Sequence, residues 1–166
     1  MICNLELIDI PYADLKNGFS VKRVSEIDTE EIYRCYLNAF SGGDARFFRY
    51  QGEQEKREYF DSLSEPDVLC EDSSIALMLN NQIIGFSYVL KFEEENHHIS
   101  CMCVLPEFQG KGLGKYLLFY IMNKASDDNV KTISLGTETD MKAYKLYEKY
   151  GFDIIKGYMV FNWIRN

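Results

Sequence analysis

Nowhere in its 166 residues does the sequence hold an apolar run near the ~18 residues that a bilayer span requires, so a membrane-embedded function is set aside. Basic residues are scarce. Eighteen Lys and Arg stand against 26 Asp and Glu, a net charge of −8, which argues against a nucleic-acid partner because phosphate binding needs a basic surface. The five cysteines (Cys3, Cys35, Cys70, Cys101 and Cys103) are odd in number and lack a framework spacing, so they read as reduced thiols packed as small core residues. Cys101 and Cys103 would share a strand face with His97, beside His98, but no second ligand pair stands at zinc-like spacing and no metal is expected. The opening Met1-Ile2-Cys3-Asn4-Leu5-Glu6 puts an acid where a secretory signal needs a basic start, so a cytoplasmic location is expected.

What is present fits one domain over residues 1–166, with 46% hydrophobic residues and a single sizeable core. Charge is unevenly spread. Residues 1–106 carry 9 basic and 19 acidic side chains, a net of −10, whereas residues 107–166 carry 9 and 7, a net of +2. A polyanionic ligand would prefer the second part and a cationic one the first.

Residues 1–18 read as a leader strand or arm, and Phe19–Val24 alternates as a short strand. Asp28 and Glu31 form a capping box for a helix over about 29–40, with Ile32, Cys35, Tyr36 and Ala39 as its buried stripe. Ser41–Asp44 breaks that helix, and Phe47, Phe48 and Tyr50 follow on a loop. A charged helix over about 52–63 then turns Tyr59, Phe60 and Leu63 inward and stops before Pro66. Strands at 74–80 and 82–92 flank a tight Asn80-Asn81 turn, and a third covers 97–104, so an antiparallel meander is expected. A glycine-rich segment, 109–114, opens a helix buried through Leu117, Leu118, Ile121, Met122 and Ala125. After a strand at 132–137, Thr139 or Asp140 caps a last helix running to Tyr150, with Gly151 at its end. Phe152–Ile164 reads as a final strand region.

Glycines just before a helix let main chain approach a ligand, and the free N–H groups of the first turn attract an anion such as a pyrophosphate. Lys111 and Lys115 add charge there. The segment is neither a full Gly-x-Gly-x-x-Gly with a distant acid nor a Gly-Lys-Ser/Thr P-loop.

Gln109-x-x-Gly112-x-Gly114, after a strand ending Val104-Leu105-Pro106-Glu107, resembles the first signature of the GCN5-related N-acetyltransferase (GNAT) superfamily. Ala143-x-x-Leu146-Tyr147-x-x-x-Gly151-Phe152 is similar to the second, in the right order and at the right separation. The resemblance covers about residues 74–160. It implies an α/β (α+β) fold with a mixed, mostly antiparallel central sheet flanked by helices. It further implies an N-acetyltransferase that uses acetyl-CoA as acyl donor, without a metal. The amides of Gln109, Gly110, Lys111, Gly112, Leu113, Gly114 and Lys115 would hold the pyrophosphate. A bulged, splayed strand would offer the backbone of Met102, Cys103 and Val104 to the pantetheine arm.

Tyr147 falls at the tyrosine that commonly protonates the departing thiolate, and a phenol with pKa near 10 suits that task. The family often takes its base, a glutamate, from the strand before the first signature. His98 stands there, and Glu94 or Glu95 acting through water are alternatives. The acceptor would sit between the first two helices and the late strands, with Tyr36, Phe40, Phe47, Phe48 and Tyr50 as candidate lining residues, of which Tyr36 and Phe40 read rather as core. An acidic, aromatic first half suits an amine, either a small molecule or a protein N-terminal or lysine amine. A non-catalytic acyl-CoA-binding module, or a transferase with another donor or acceptor, are the competing readings. Asp140 stands where relatives often carry asparagine. The tail after Gly151 is short, so its last strand would be stunted or completed by a partner in a homodimer.

Overall fold

The computed structural model describes residues 1–11, 14–15, 18–42, 45–64 and 66–155. Along the chain run β1 (Ile2–Asn4), β2 (Phe19–Arg23), α1 (Thr29–Ser41), α2 (Arg46–Arg49), α3 (Glu53–Ser62), β3 (Ile75–Leu79) and β4 (Gln82–Glu93). Then come β5 (Asn96–Val104), α4 (Leu113–Asp127), β6 (Thr132–Leu135) and α5 (Lys142–Lys149). Among the described residues the strands form one sheet in the order β1-β6-β5-β4-β3-β2.

Local chemistry sets most of these elements. Asn80 and Asn81, at φ 50° and 63°, make the two-residue turn joining β3 to β4, because asparagine tolerates the left-handed region such hairpins need. The meander β2-β3-β4-β5 is antiparallel throughout. The crossover through α4 makes β6 parallel to β5, and β1 returns antiparallel to cover the far edge of β6. Asp28 caps α1 by accepting from the Glu30 N–H at 2.8 Å, so its partner is the second helical residue and no Glu31 capping box is present. Phe47 and Phe48 fall in a helical turn, α2, where a loop is expected from sequence. Helix α5 begins at Lys142 with no side-chain cap from Thr139 or Asp140. It ends as expected: Gly151 at φ 85° lets the Phe152 N–H return to the Tyr147 carbonyl oxygen at 3.1 Å.

Helices α4 and α5 cover one face of the sheet, where Val89, Ile99, Leu118, Ile121, Met122, Ile133 and Tyr147 are buried together. Helices α1 and α3 cover the other, over Tyr36, Phe60, Phe86, Tyr88, Cys101 and Cys103. Asp153 bridges Ile2, and residues 156–164 of the expected last strand lie outside the described residues.

Candidate active site

The site originates in an irregularity of β5. Tyr88 pairs with Cys101 and Val89 with Ile99, so Ser100 is an extra residue, a β-bulge. The bulge reverses the side-chain alternation. Ile99 joins the α4 core, whereas Cys101 and Cys103 join the α1 core. The expected shared face of His97, Cys101 and Cys103 is therefore absent, and no cluster suited to a metal occurs among the described residues. Ser100 Oγ holds the bulge by donating to the Leu63 carbonyl oxygen at 2.7 Å, with the Tyr88 carbonyl oxygen at 3.3 Å.

Beyond the bulge the two parallel strands separate. Pairing of β5 with β6 runs from Asn96↔Thr132 to Ile99↔Leu135 and stops, while β5 continues bonded to β4 as far as Val104. Residues 100–104 thus present main-chain groups along an opened edge. Gly85 permits the tight β4–β5 contact at the end of this run: a Cβ there would lie 2.6 Å from the Cys103 carbonyl oxygen and 3.1 Å from Val104 Cα.

The opening is a cleft of about 270 Å3. Its β5 wall is His98 to Met102, its β6 wall Leu135 to Glu138, and Ala143 and Tyr147 approach from α5. Tyr36, Phe40, Tyr59 and Leu63 close one end. These four are the residues that sequence patterning undervalued, because an aromatic stripe on a helix reads the same whether it fills a core or ends a cleft. Phe48 packs edge-on to Tyr36 with ring centroids 5.6 Å apart and does not line the cleft, and Tyr50 is exposed. The Phe47 side chain lies outside what the structure describes.

Past Val104 the chain makes a short turn in which Gln109 Nε2 donates to the Val104 carbonyl oxygen at 3.0 Å. Gly110 and Gly112 have φ of 73° and 86°, and no atom lies within 4 Å of where a Cβ would stand on either. The main chain of this turn is therefore bare and approachable. Gly112 is the N-cap of the 15-residue α4, whose first-turn amides of Leu113, Gly114 and Lys115 precede the first intrahelical bond, Tyr116 N–H to the Gly112 carbonyl oxygen. The Leu113 side chain is buried and anchors the turn, while Lys111 and Lys115 are exposed. This bare, donor-rich, cation-flanked turn fits a pyrophosphate, and the opened edge leading into the cleft fits an extended thioester arm.

Tyr147 is buried on α5 and lines the cleft. Burial, with Cys101 and Cys103 nearby, pushes the phenol well above its usual range, so it is protonated at every physiological pH. His98 lines the cleft, with Nδ1 3.0 Å from Ser134 Oγ and its ring 5.8 Å from that of Phe92. Burial lowers its pKa and keeps the imidazole neutral. The two alternative bases stand elsewhere. Glu95 pairs with Lys131, and Glu94 lines a separate, wider hollow with Lys91, Glu93, His97 and Asp128. Burial raises the Cys103 thiol well above its ordinary value, which removes thiolate character.

The fold is shared with solved N-acetyltransferases. PaiA N-acetyltransferase from Thermoplasma acidophilum, solved with coenzyme A, superposes with a TM-score of 0.65 at 13% identity over 82% of this chain and 90% of that one. Ard1 from Thermoplasma volcanium gives 0.61 at 18% identity over 84% and 85%. The profile of the Acetyltransferase (GNAT) family matches residues 29–152, and the chain belongs to that family. Among curated relatives, the ribosomal protein bS18-alanine N-acetyltransferase of Haemophilus influenzae is 36% identical over 88 residues, covering 51% of this chain and 60% of that protein. An uncharacterized N-acetyltransferase of Archaeoglobus fulgidus is 24% identical over 134 residues, covering 76% and 88%. The match therefore spans only about three-fifths of the first of these relatives.

Proposed function

We propose that the protein transfers an acetyl group from acetyl-CoA to a primary amine by direct attack within the β5–β6 cleft. The observation that carries this reading is the termination of strand pairing at Ile99/Leu135, which opens a cleft onto His98 and Tyr147 and leads out to the bare turn at Gly110–Gly112.

Acetyl-CoA supplies an activated acyl thioester; the chain's residues do the rest. First-turn amides of α4, with Lys111 and Lys115, hold the pyrophosphate, and the opened backbone of Met102, Cys103 and Val104 holds the pantetheine arm. A main-chain N–H at the bulge polarises the thioester carbonyl, a donor fixed in place before reaction. His98, neutral because it is buried, accepts the proton that an ammonium must lose before it attacks. As the new C–N bond forms and the C–S bond breaks, Tyr147 gives its proton to sulfur and regains one from the second proton that the nitrogen sheds on becoming an amide. Burial raises the phenol, and the same burial makes a developing thiolate more basic, so donor and acceptor stay matched.

Direct transfer is favoured over an acyl-enzyme because the cysteines are buried and, among the described residues, none is hydrogen-bonded to a histidine or carboxylate base. The aromatic end formed by Tyr36, Phe40 and Tyr59, with Glu138 on the opposite wall, suits an amine carrying an apolar segment. The bS18-alanine N-acetyltransferase relative makes peptides with a free N-terminus the first acceptors to try. The test is coenzyme A thiol release from acetyl-CoA against a panel of N-terminal peptides, lysine peptides, polyamines and small aromatic amines. Amine-dependent release supports the reading. Tight acetyl-CoA binding without release for any acceptor would instead identify a binding module.

A further inference from the structure

Asn96 and His98 lie on β5 before the Ser100 bulge, the parallel register sets Ser134 of β6 directly beside His98, and both side chains reach Ser134. Their side chains are linked. Ser134 Oγ lies 3.0 Å from His98 Nδ1 and donates to Asn96 Oδ1 at 3.2 Å. A hydroxyl carries one proton, so Ser134, having given it to Asn96, can only accept from His98. Nδ1 must then bear the ring hydrogen, and in a neutral imidazole that leaves Nε2 as a bare lone pair. The Phe92 ring lies 5.8 Å from the imidazole, centroid to centroid.

We propose that Ser134 and Asn96 are positioning residues that lock His98 as its Nδ1–H tautomer, so that Nε2 is the atom that takes the proton from the acceptor ammonium. The inference rests on the reading of His98 as general base. The relay serves both charge states, because the Nδ1–H bond to Ser134 persists after Nε2 is protonated, while the unused tautomer would point a hydrogen at the substrate. The groups facing this site are the Met1 amino group beside β6, Tyr36 from α1, Tyr59 from α3, Glu138 after β6 and Tyr147 from α5. The relay itself ends on a neutral amide rather than a carboxylate, so the imidazole can cycle between its two forms.

The experiment is 15N NMR of the histidine-labelled protein above the His98 titration, with His98→Gln to assign the signals, beside steady-state kinetics. The wild type is expected to show His98 as Nδ1–H. Ser134→Ala should mix in the Nε2–H form and lower kcat about tenfold with acetyl-CoA binding unchanged, and Ser134→Thr should restore both. Asn96→Asp, which ends the relay on a carboxylate, should move the acidic limb of kcat/KM upward by about one pH unit. An Nε2–H tautomer in the wild type overturns the relay, as does a tautomer ratio and acidic limb untouched by Ser134→Ala. If the tautomer responds as stated but His98→Gln keeps full turnover, the relay stands and the base assignment fails.

Discussion

The Ser100 hydroxyl donates to the Leu63 carbonyl oxygen at 2.7 Å, tying the bulge of β5 to the end of α3. One side chain thus links the wall of the cleft to the helix that closes it. Ser100→Ala should cost about 1 kcal/mol by urea denaturation, the worth of one such bond, since a half-buried carbonyl loses its partner. The larger effect should be on turnover: kcat should fall by about tenfold as the bulged main chain loses its fixed position.

Gly85 is the second point at which geometry leaves no latitude. A methyl group there meets the backbone of Cys103 and Val104 rather than a movable side chain. Gly85→Ala is expected to destabilise the fold by about 2–3 kcal/mol and to weaken acetyl-CoA binding, because β5 must shift where it borders the opening. Denaturation and calorimetric titration together check this.

At the mouth of the cleft, Gly112→Glu combines a left-handed backbone position that disfavours a side chain with a carboxylate beside the first-turn amides. The coenzyme Kd should rise about a hundredfold, and stability should drop by about 1–2 kcal/mol from the backbone alone. Calorimetry separates the two effects.

How much of this was legible in sequence follows from the range of the interactions involved. Period-2 and period-3.6 patterns located the hairpin at Asn80-Asn81, α4, and the Tyr147 face of α5, because each is decided by neighbours a few residues apart. Gly151 announced itself as the end of α5 for the same reason. The family resemblance implied a bulged strand, but its place at Ser100 did not show, since that is set by pairing with β4 and by a bond to Leu63, 37 residues away. That single inserted residue is also why His97 parts from Cys101 and Cys103. Tyr36, Phe40 and Phe48 form one cluster, and only packing determines that Tyr36 and Phe40 line the cleft while Phe48 stands behind them.

Burial lowers the pKa of both histidines, so the unfolded chain takes up protons at a higher pH than the folded one. Their contribution to stability is whole above the unfolded value of about 6.5 and is lost as pH falls through the folded values. Urea midpoints should therefore decline below pH 6.5, and the decline should be shallower in His97→Gln and His98→Gln.

The central claim is that an acyl thioester reacts in the split between β5 and β6 against Tyr147. The most direct measurement is the rate of coenzyme A thiol release by Tyr147→Phe beside the wild type, with an acceptor from the panel at saturation. The account predicts that kcat falls by about a hundredfold while the acetyl-CoA Kd stays within about twofold, because only a proton donor is removed from a ring that remains packed. Equal turnover in the two proteins would contradict it.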